Sequence, residues 1–203
     1  MKYFYRFVQQ FIFWPIFWLF LKIFFDVEIV GRENLKKIET PLLIVSNHKT
    51  LLDGFVIGLA LPWGSRIFPI RFMIEDIRFK ARTLEILRKL QLMRIFRWLA
   101  GGFPSKRGQG VSEAIKIPLK ILNKRGTILM FPEGKMVRED ELGEFFHGAS
   151  VLADASKAKI LPVHLKFGGG KVRISFGKLF SLAAKNTDHG TQILKEKILE
   201  LSR

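Results

Sequence analysis

Residues 47–53 read Asn47-His48-Lys49-Thr50-Leu51-Leu52-Asp53, directly after the apolar run Leu42-Leu43-Ile44-Val45-Ser46. The chain has four histidines, and this one stands where a buried strand should end and a helix begin. An imidazole with a carboxylate to orient it is a general base in waiting. Five residues correspond to about 140° around a helix, so His48 and Asp53 cannot share one helix face. They meet if His48 lies in the turn before the helix and Asp53 in its first turn. Asp53 then fixes the tautomer and stabilises the imidazolium, and the other ring nitrogen is open to an alcohol proton. The same spacing supports a structural role, with Thr50 as an N-cap and Asp53 its partner three residues on, as in a capping box. The two roles are not exclusive.

A second polar block, Pro132-Glu133-Gly134, follows another strand-like run, Thr127-Ile128-Leu129-Met130-Phe131. Glu133 has three readings here: it braces a loop, caps a helix or binds a hydroxyl. Ligands of open α/β sheets bind beyond the carboxyl ends of the strands, which brings Glu133 toward His48. A third block, Gly101-Gly102-Phe103-Pro104-Ser105-Lys106-Arg107-Gly108, offers flexible backbone and two cations. It suits a phosphate, which arginine grips bidentately, and it also reads as a solvated loop.

These blocks need strands and helices to hold them. Val27–Gly31 reads as a short edge strand, and Leu42–Ser46 as a strand buried on both faces. Helices are expected at Leu51–Ala60, stopped by Pro62, at Ser112–Asn123, and at Ala149–Ala158. Lys159–Phe167 and Lys171–Phe176 flank Gly168-Gly169-Gly170 as a hairpin, and residues 189–203 form a polar terminal helix. Alternation of this kind predicts an α/β fold, a mostly parallel sheet flanked by helices, with residues 26–203 as one domain.

The composition narrows the partners. A net charge of +16, from 34 Lys and Arg against 18 Asp and Glu, calls for a polyanion, either nucleic acid or an anionic membrane. Hydrophobic residues at 48% and 20 phenylalanines favour the membrane, and no nucleic-acid module accompanies the charge. No cysteine is present, which excludes disulfides, thiolate metal sites and a cysteine nucleophile. Residues 1–25 hold twelve aromatics and no acid. Their uncharged stretch, Phe11 to Leu21, is shorter than a spanning helix needs and contains Pro15. Trp14 and Trp18 with Lys2, Arg6 and Lys22 suit the headgroup boundary, so this segment is expected to be an interfacial membrane-associated helix. Residues 66–107 carry eleven Lys and Arg against three acids, with Leu84, Leu87 and Leu90, then Leu92, Ile95, Phe96 and Leu99, at helical spacing. A basic amphipathic helix there would lie on anionic lipid or dock an acidic carrier protein; a core-facing helix with a solvated charged face is the other reading.

Taken in order, Asn47-His48-x4-Asp53, Gly102-Phe103-x3-Arg107, Phe131-Pro132-Glu133-Gly134 and Leu161-Pro162-Val163 resemble the glycerolipid acyltransferases, most nearly the 1-acylglycerol-3-phosphate acyltransferases. Phe145-Phe146-His147-Gly148-Ala149 is similar to that family's Phe-x-x-Gly-Ala stretch. The resemblance covers about residues 27–180. It implies transfer of a fatty acyl group from a thioester, carried by acyl carrier protein or coenzyme A, to a glycerol hydroxyl, giving phosphatidic acid. His48 is then the base and Asp53 its activator. This agrees with the lack of any cysteine or Gly-x-Ser-x-Gly nucleophile. Arg107, with Lys106, Gly102 and Phe103, would bind the acceptor phosphate; Glu133 and Gly134 would shape the acceptor pocket. No metal or resident cofactor is required, and the expected place is the cytoplasmic face of the cell membrane. One departure stands out: the third block continues Lys135-Met136-Val137-Arg138 where the family's pattern is Thr-Arg-Ser. Met136 replaces a phosphate-binding arginine, so Lys135 or Arg138 supplies the charge or the acceptor is a different lyso-lipid. A non-catalytic membrane-surface protein that binds anionic lipid is the contrasting reading.

Overall fold

The computed structural model describes residues 2–74, 92–104, 110–137 and 141–202. Seven strands form one sheet: β1 (Asp26–Val30), β2 (Leu42–Ser46), β3 (Ile70–Ile74), β4 (Gly102–Pro104), β5 (Thr127–Met130), β6 (Lys159–Gly168) and β7 (Lys171–Phe176). Their order is β1-β7-β6-β2-β5-β3-β4, and every neighbouring pair is parallel except β6 with β7. The α/β reading of the sequence therefore holds. Six helices accompany the sheet among the described residues: α1 (Lys2–Phe24), α2 (Asp53–Ala60), α3 (Leu92–Leu99), α4 (Val111–Asn123), α5 (Gly148–Ser156) and α6 (Thr187–Leu199).

The side-chain alternation of β2 shows how the layers form. Leu42 and Ile44 enter one core with Leu21 of α1 and Val56 and Ile57 of α2. Leu43 and Val45 enter the other with Ile115 and Leu122 of α4, Leu152 of α5 and Leu194 and Ile198 of α6. All four β2 side chains are fully buried, which is why this strand reads as an unbroken apolar run. The β6–β7 hairpin turns on Gly169 and Gly170, both at positive φ (55° and 76°), the backbone of a two-residue turn that favours glycine. Helix α4 ends with Arg125 in the left-handed region (φ 54°). Gly126 N–H reaches Ile121 O and Arg125 N–H reaches Leu122 O, a Schellman closure that sends the chain into β5.

Some elements fall elsewhere than expected. Helix α2 starts at Asp53 rather than Leu51, because the carboxylate of Asp53 caps residues 49 and 50. Gly102–Pro104 is an edge strand rather than a loop, paired with β3. The 66–107 segment contains β3 and β4 as well as α3, and its central stretch lies outside the described residues. The N-terminal helix runs through Pro15. A π-helical stretch at Val8–Phe13 precedes the proline, with Trp14 N–H bonded to Gln9 O; Pro15 has no N–H to give the preceding turn.

Helix α1 is tied to the α/β body along one side. Gln9 donates to Ile70 O and Ala100 O, both at 2.7 Å, and accepts the Ile70 N–H at 2.9 Å, so one side-chain amide completes the start of β3. Arg6 donates to Gly64 O, and Phe17 stacks on Phe55 of α2 at 4.2 Å between ring centres. The other side shows Ile12, Ile16, Leu19, Phe20, Ile23 and Phe24 to the exterior, an apolar stripe at helical spacing.

Candidate active site

The carboxyl end of β2 is fixed before any side chain does chemistry. Asn47 is fully buried and uses its amide as a piece of strand: Nδ2 donates to Leu165 O at 2.9 Å and Oδ1 accepts Leu165 N–H at 2.7 Å. The β2–β6 pairing is thereby prolonged by one residue into the turn. His48 is clamped next. Its N–H donates to Glu133 Oε2 at 2.7 Å, and its carbonyl accepts Val137 N–H at 2.8 Å. The Phe131 ring lies against the imidazole, 4.3 Å between centres and 15° from parallel.

With its backbone held, the His48 ring presents Nδ1 to Asp53 Oδ2 at 2.8 Å. Asp53 is fully buried as the first residue of α2. It also accepts from Lys49 N–H (2.5 Å), Thr50 N–H (3.0 Å) and Thr50 Oγ1 (2.6 Å). A buried carboxylate is tolerated only with such compensation, and the helix start adds favourable dipoles. These donors require an ionised acceptor, so Nδ1 carries the hydrogen and Nε2 keeps its lone pair. His48 is one-fifth exposed while Asp53 is sealed, so a substrate reaches the imidazole alone. Asp53 both holds the imidazole and bonds the turn at residues 49 and 50, and Thr50 Oγ1 accepts Leu52 N–H, while the helix N-cap falls at Leu52 rather than Thr50.

Glu133 meets His48, as the strand-end argument expects, yet its carboxylate is 1% exposed and takes the N–H groups of His48 and Gly143. It shapes the site from behind. Gly134 closes the turn at φ 62° with its N–H on Phe131 O, and Lys135 and Met136 are exposed at the rim. Gly102 and Phe103 are buried in β4, with Phe103 in the core beside Ile115. Pro104 ends β4 at the same edge of the sheet as His48, three strand spacings or roughly 14 Å away. Lys106, Arg107 and Arg138 lie outside the described residues.

Three contributors escape sequence reasoning: the strand-mimicking amide of Asn47, the stacked ring of Phe131 and the Val137 N–H. Each acts through its place beside His48 in space, for which spacing gives no sign. Among the described residues no group of three or more His, Cys, Asp or Glu is placed to hold a metal ion.

An imidazole backed by a buried carboxylate thus stands at the carboxyl edge of a mostly parallel sheet. Residues 26–166 match the model of the acyltransferase family, and the chain belongs to that family. It is 27% identical over 154 residues to a chloroplast 1-acyl-sn-glycerol-3-phosphate acyltransferase of Arabidopsis thaliana, covering 73% of this chain and 38% of that one. A probable 1-acyl-sn-glycerol-3-phosphate acyltransferase of Mycoplasma genitalium is 25% identical over 182 residues, 90% of this chain and 64% of that one. The chain thus spans well under half of the plant relative and just under two thirds of the bacterial one. The crystal structure of a 1-acyl-sn-glycerophosphate acyltransferase from Thermotoga maritima superposes with a TM-score of 0.70 at 18% identity, over 98% of this chain and 78% of that one; the likeness is one of fold.

Proposed function

We propose that this chain transfers a fatty acyl group from a thioester to the free hydroxyl of 1-acylglycerol-3-phosphate, forming phosphatidic acid at a membrane surface. The observation that carries this reading is the His48–Asp53 pair, with Nδ1 committed at 2.8 Å and Nε2 left as the base. The names of the relatives support the choice of acceptor. Nε2 takes the hydroxyl proton as the oxygen attacks the thioester carbon. The tetrahedral intermediate then expels the thiolate, which recovers the proton from the imidazolium. Asp53 stabilises the cation that His48 becomes between those steps.

For the acceptor phosphate, exposed Lys135 lies in the loop whose Glu133 and Val137 bond the His48 backbone, and Lys106, Arg107 and Arg138 are the further cations that the sequence offers. Met136 in place of an arginine favours a second reading at the same site, a lyso-lipid with a different headgroup. Between α1 and α2 lies a small apolar crevice of ≈ 40 Å³, lined by Phe13, Phe17, Gly54, Gly58 and Phe68. The exposed stripe of α1 is larger than a water-facing helix keeps, and together with the +16 charge it fits an anionic cytoplasmic leaflet. Either acyl carrier protein or coenzyme A serves as an anionic donor carrier.

The test is transfer of labelled acyl groups in vesicles containing lysophosphatidic acid, with wild type beside His48→Ala. Diacyl product from wild type alone supports reaction, base and acceptor together. Product made only from other lyso-lipids moves the acceptor to the second reading, and turnover retained by His48→Ala removes the base assignment.

A further inference from the structure

A second histidine stands one strand over from the catalytic loop. His164 of β6 is 5% exposed, and its Nε2 is buried without a hydrogen-bond partner. Val163 and Leu165, its neighbours along β6, enter the core shared with α2. His164 and Lys166 therefore point to the opposite face of the sheet. Beside it is a cavity of ≈ 380 Å³ lined by Lys49, Thr50, His164, Lys166 and Ser202 among others, with no acidic residue in the lining. That volume falls in the range of small-ligand sites.

The neighbourhood is cationic. In the β6–β7 register Lys166 faces Arg173. The Arg173 Nε is also buried without a hydrogen bond, its Glu28 partner standing off at 3.7 Å. Burial, then the charges of Lys49, Lys166 and Arg173, push the His164 imidazole down to about 4. A buried imidazole nitrogen without a hydrogen bond, with two lysines at the rim of the same cavity, is arranged for an anion that supplies an acceptor and relieves the repulsion. Natural proteins pair such groups, so the arrangement points to a ligand rather than to packing.

Its position selects which anion. His48 leans on Phe131, which follows β5, and Gly102, Phe103, Glu133 and Gly134 belong to the β5–β3–β4 side of the sheet. The cavity lies on the β6 side of the same loop, and β2 stands between β5 and β6. Lys49 and Thr50 line it while their N–H groups hold Asp53, so an anion there borders the catalytic loop from behind. We propose that this cavity is an anion site for a phosphate of the acyl donor's pantetheine carrier, the phosphate common to coenzyme A and to acyl carrier protein. The proposal rests on the thioester-donor reading of the active site and adds to it where the donor's phosphate is held.

The test uses the whole chain in detergent, with coenzyme A and lysophosphatidic acid as separate calorimetric probes and Lys166→Glu as the variant, Lys166 being exposed. Loss of one charge-assisted contact and gain of a repulsive one is expected to weaken coenzyme A about tenfold or more. Lysophosphatidic acid should bind within about twofold of wild type, as a site elsewhere predicts. Lys166→Arg should bind coenzyme A as wild type does, which separates lost charge from misfolding, and Lys166→Glu should raise the KM for acyl thioester without raising that for acceptor. Weakening of lysophosphatidic acid instead would assign the cavity to the acceptor phosphate and overturn the proposal. Unchanged coenzyme A binding in Lys166→Glu would remove the site altogether. Because binding is read without turnover, Lys166-dependent coenzyme A binding in a chain that makes no diacyl product would sink the acyltransfer reading and leave the site standing.

Discussion

His48 follows the end of β2 and His164 lies within β6, the neighbouring parallel strand, and the molecule treats them in opposite ways. His48 has a carboxylate at 2.8 Å, a stacked ring and both backbone polar groups bonded. His164 has no carboxylate among the groups that set its charge, only Lys49, Lys166 and Arg173. One imidazole is held against a carboxylate; the other stands among cations and holds off its proton. The same side chain thus meets opposite electrostatic surroundings according to whether its neighbours supply an anion or cations.

The strongest way to break this contrast is to remove the first imidazole. His48→Ala should lower kcat/KM for acyl transfer by about 10³-fold or more, the usual contribution of a positioned general base, while leaving the unfolding midpoint near wild type. Asp53→Asn keeps the shape and discards the charge. Its amide offers the imidazole a donor as readily as an acceptor, so the ring loses its fixed tautomer and its imidazolium loses a counter-ion. Turnover should fall about 10²-fold, and thermal unfolding should also drop because Lys49 N–H and Thr50 N–H bind the same carboxylate. A variant that keeps full turnover with the lowered midpoint would reduce Asp53 to a cap.

Asn47→Ala sharpens the comparison from the framework side, because the amide joins the two strand ends directly. It leaves Leu165 N–H and C=O buried and unpaired, at a cost of about 3 kcal/mol in stability by chemical denaturation. Since Leu165 lies between His164 and Lys166, the loss should also disturb the cavity behind the loop.

What the sequence shows of this arrangement follows physical lines. Leu42–Ser46 is legible because a strand buried on both faces must be apolar throughout, and its observed bounds are those expected. The His48–Asp53 pair is legible because the link between them is local, a single turn of chain. Gly102–Pro104 is not: three residues with a glycine and a proline carry no strand period, and only the edge of β3 makes them a strand. Glu133 is half legible. Its meeting with His48 follows from strand order, but its two N–H partners come from residues 85 and 10 positions away, which no spacing rule reports. His164 is invisible as a site, because one histidine in an apolar run reads as core until β7 brings Arg173 and the His48 loop brings Lys49 to join Lys166 of its own strand.

The smallest expected effect tests the second histidine alone. In the unfolded chain His164 should titrate near the ordinary value of 6.5, while in the folded protein it holds off its proton until about 4. As pH falls below about 6.5 the unfolded state binds a proton that the native state refuses, so stability is full above that pH and declines until about 4, below which this contribution levels off. At pH 5 the loss should be about 2 kcal/mol, read as the difference between wild type and His164→Gln in urea unfolding at pH 7.5 and pH 5. If His164→Gln runs parallel to wild type, then an anion from solution already neutralises the cluster. Repeating the series with inorganic phosphate added and then removed by dialysis decides that point, because a bound anion raises the native affinity of His164 for its proton and flattens the wild-type slope only while it is present.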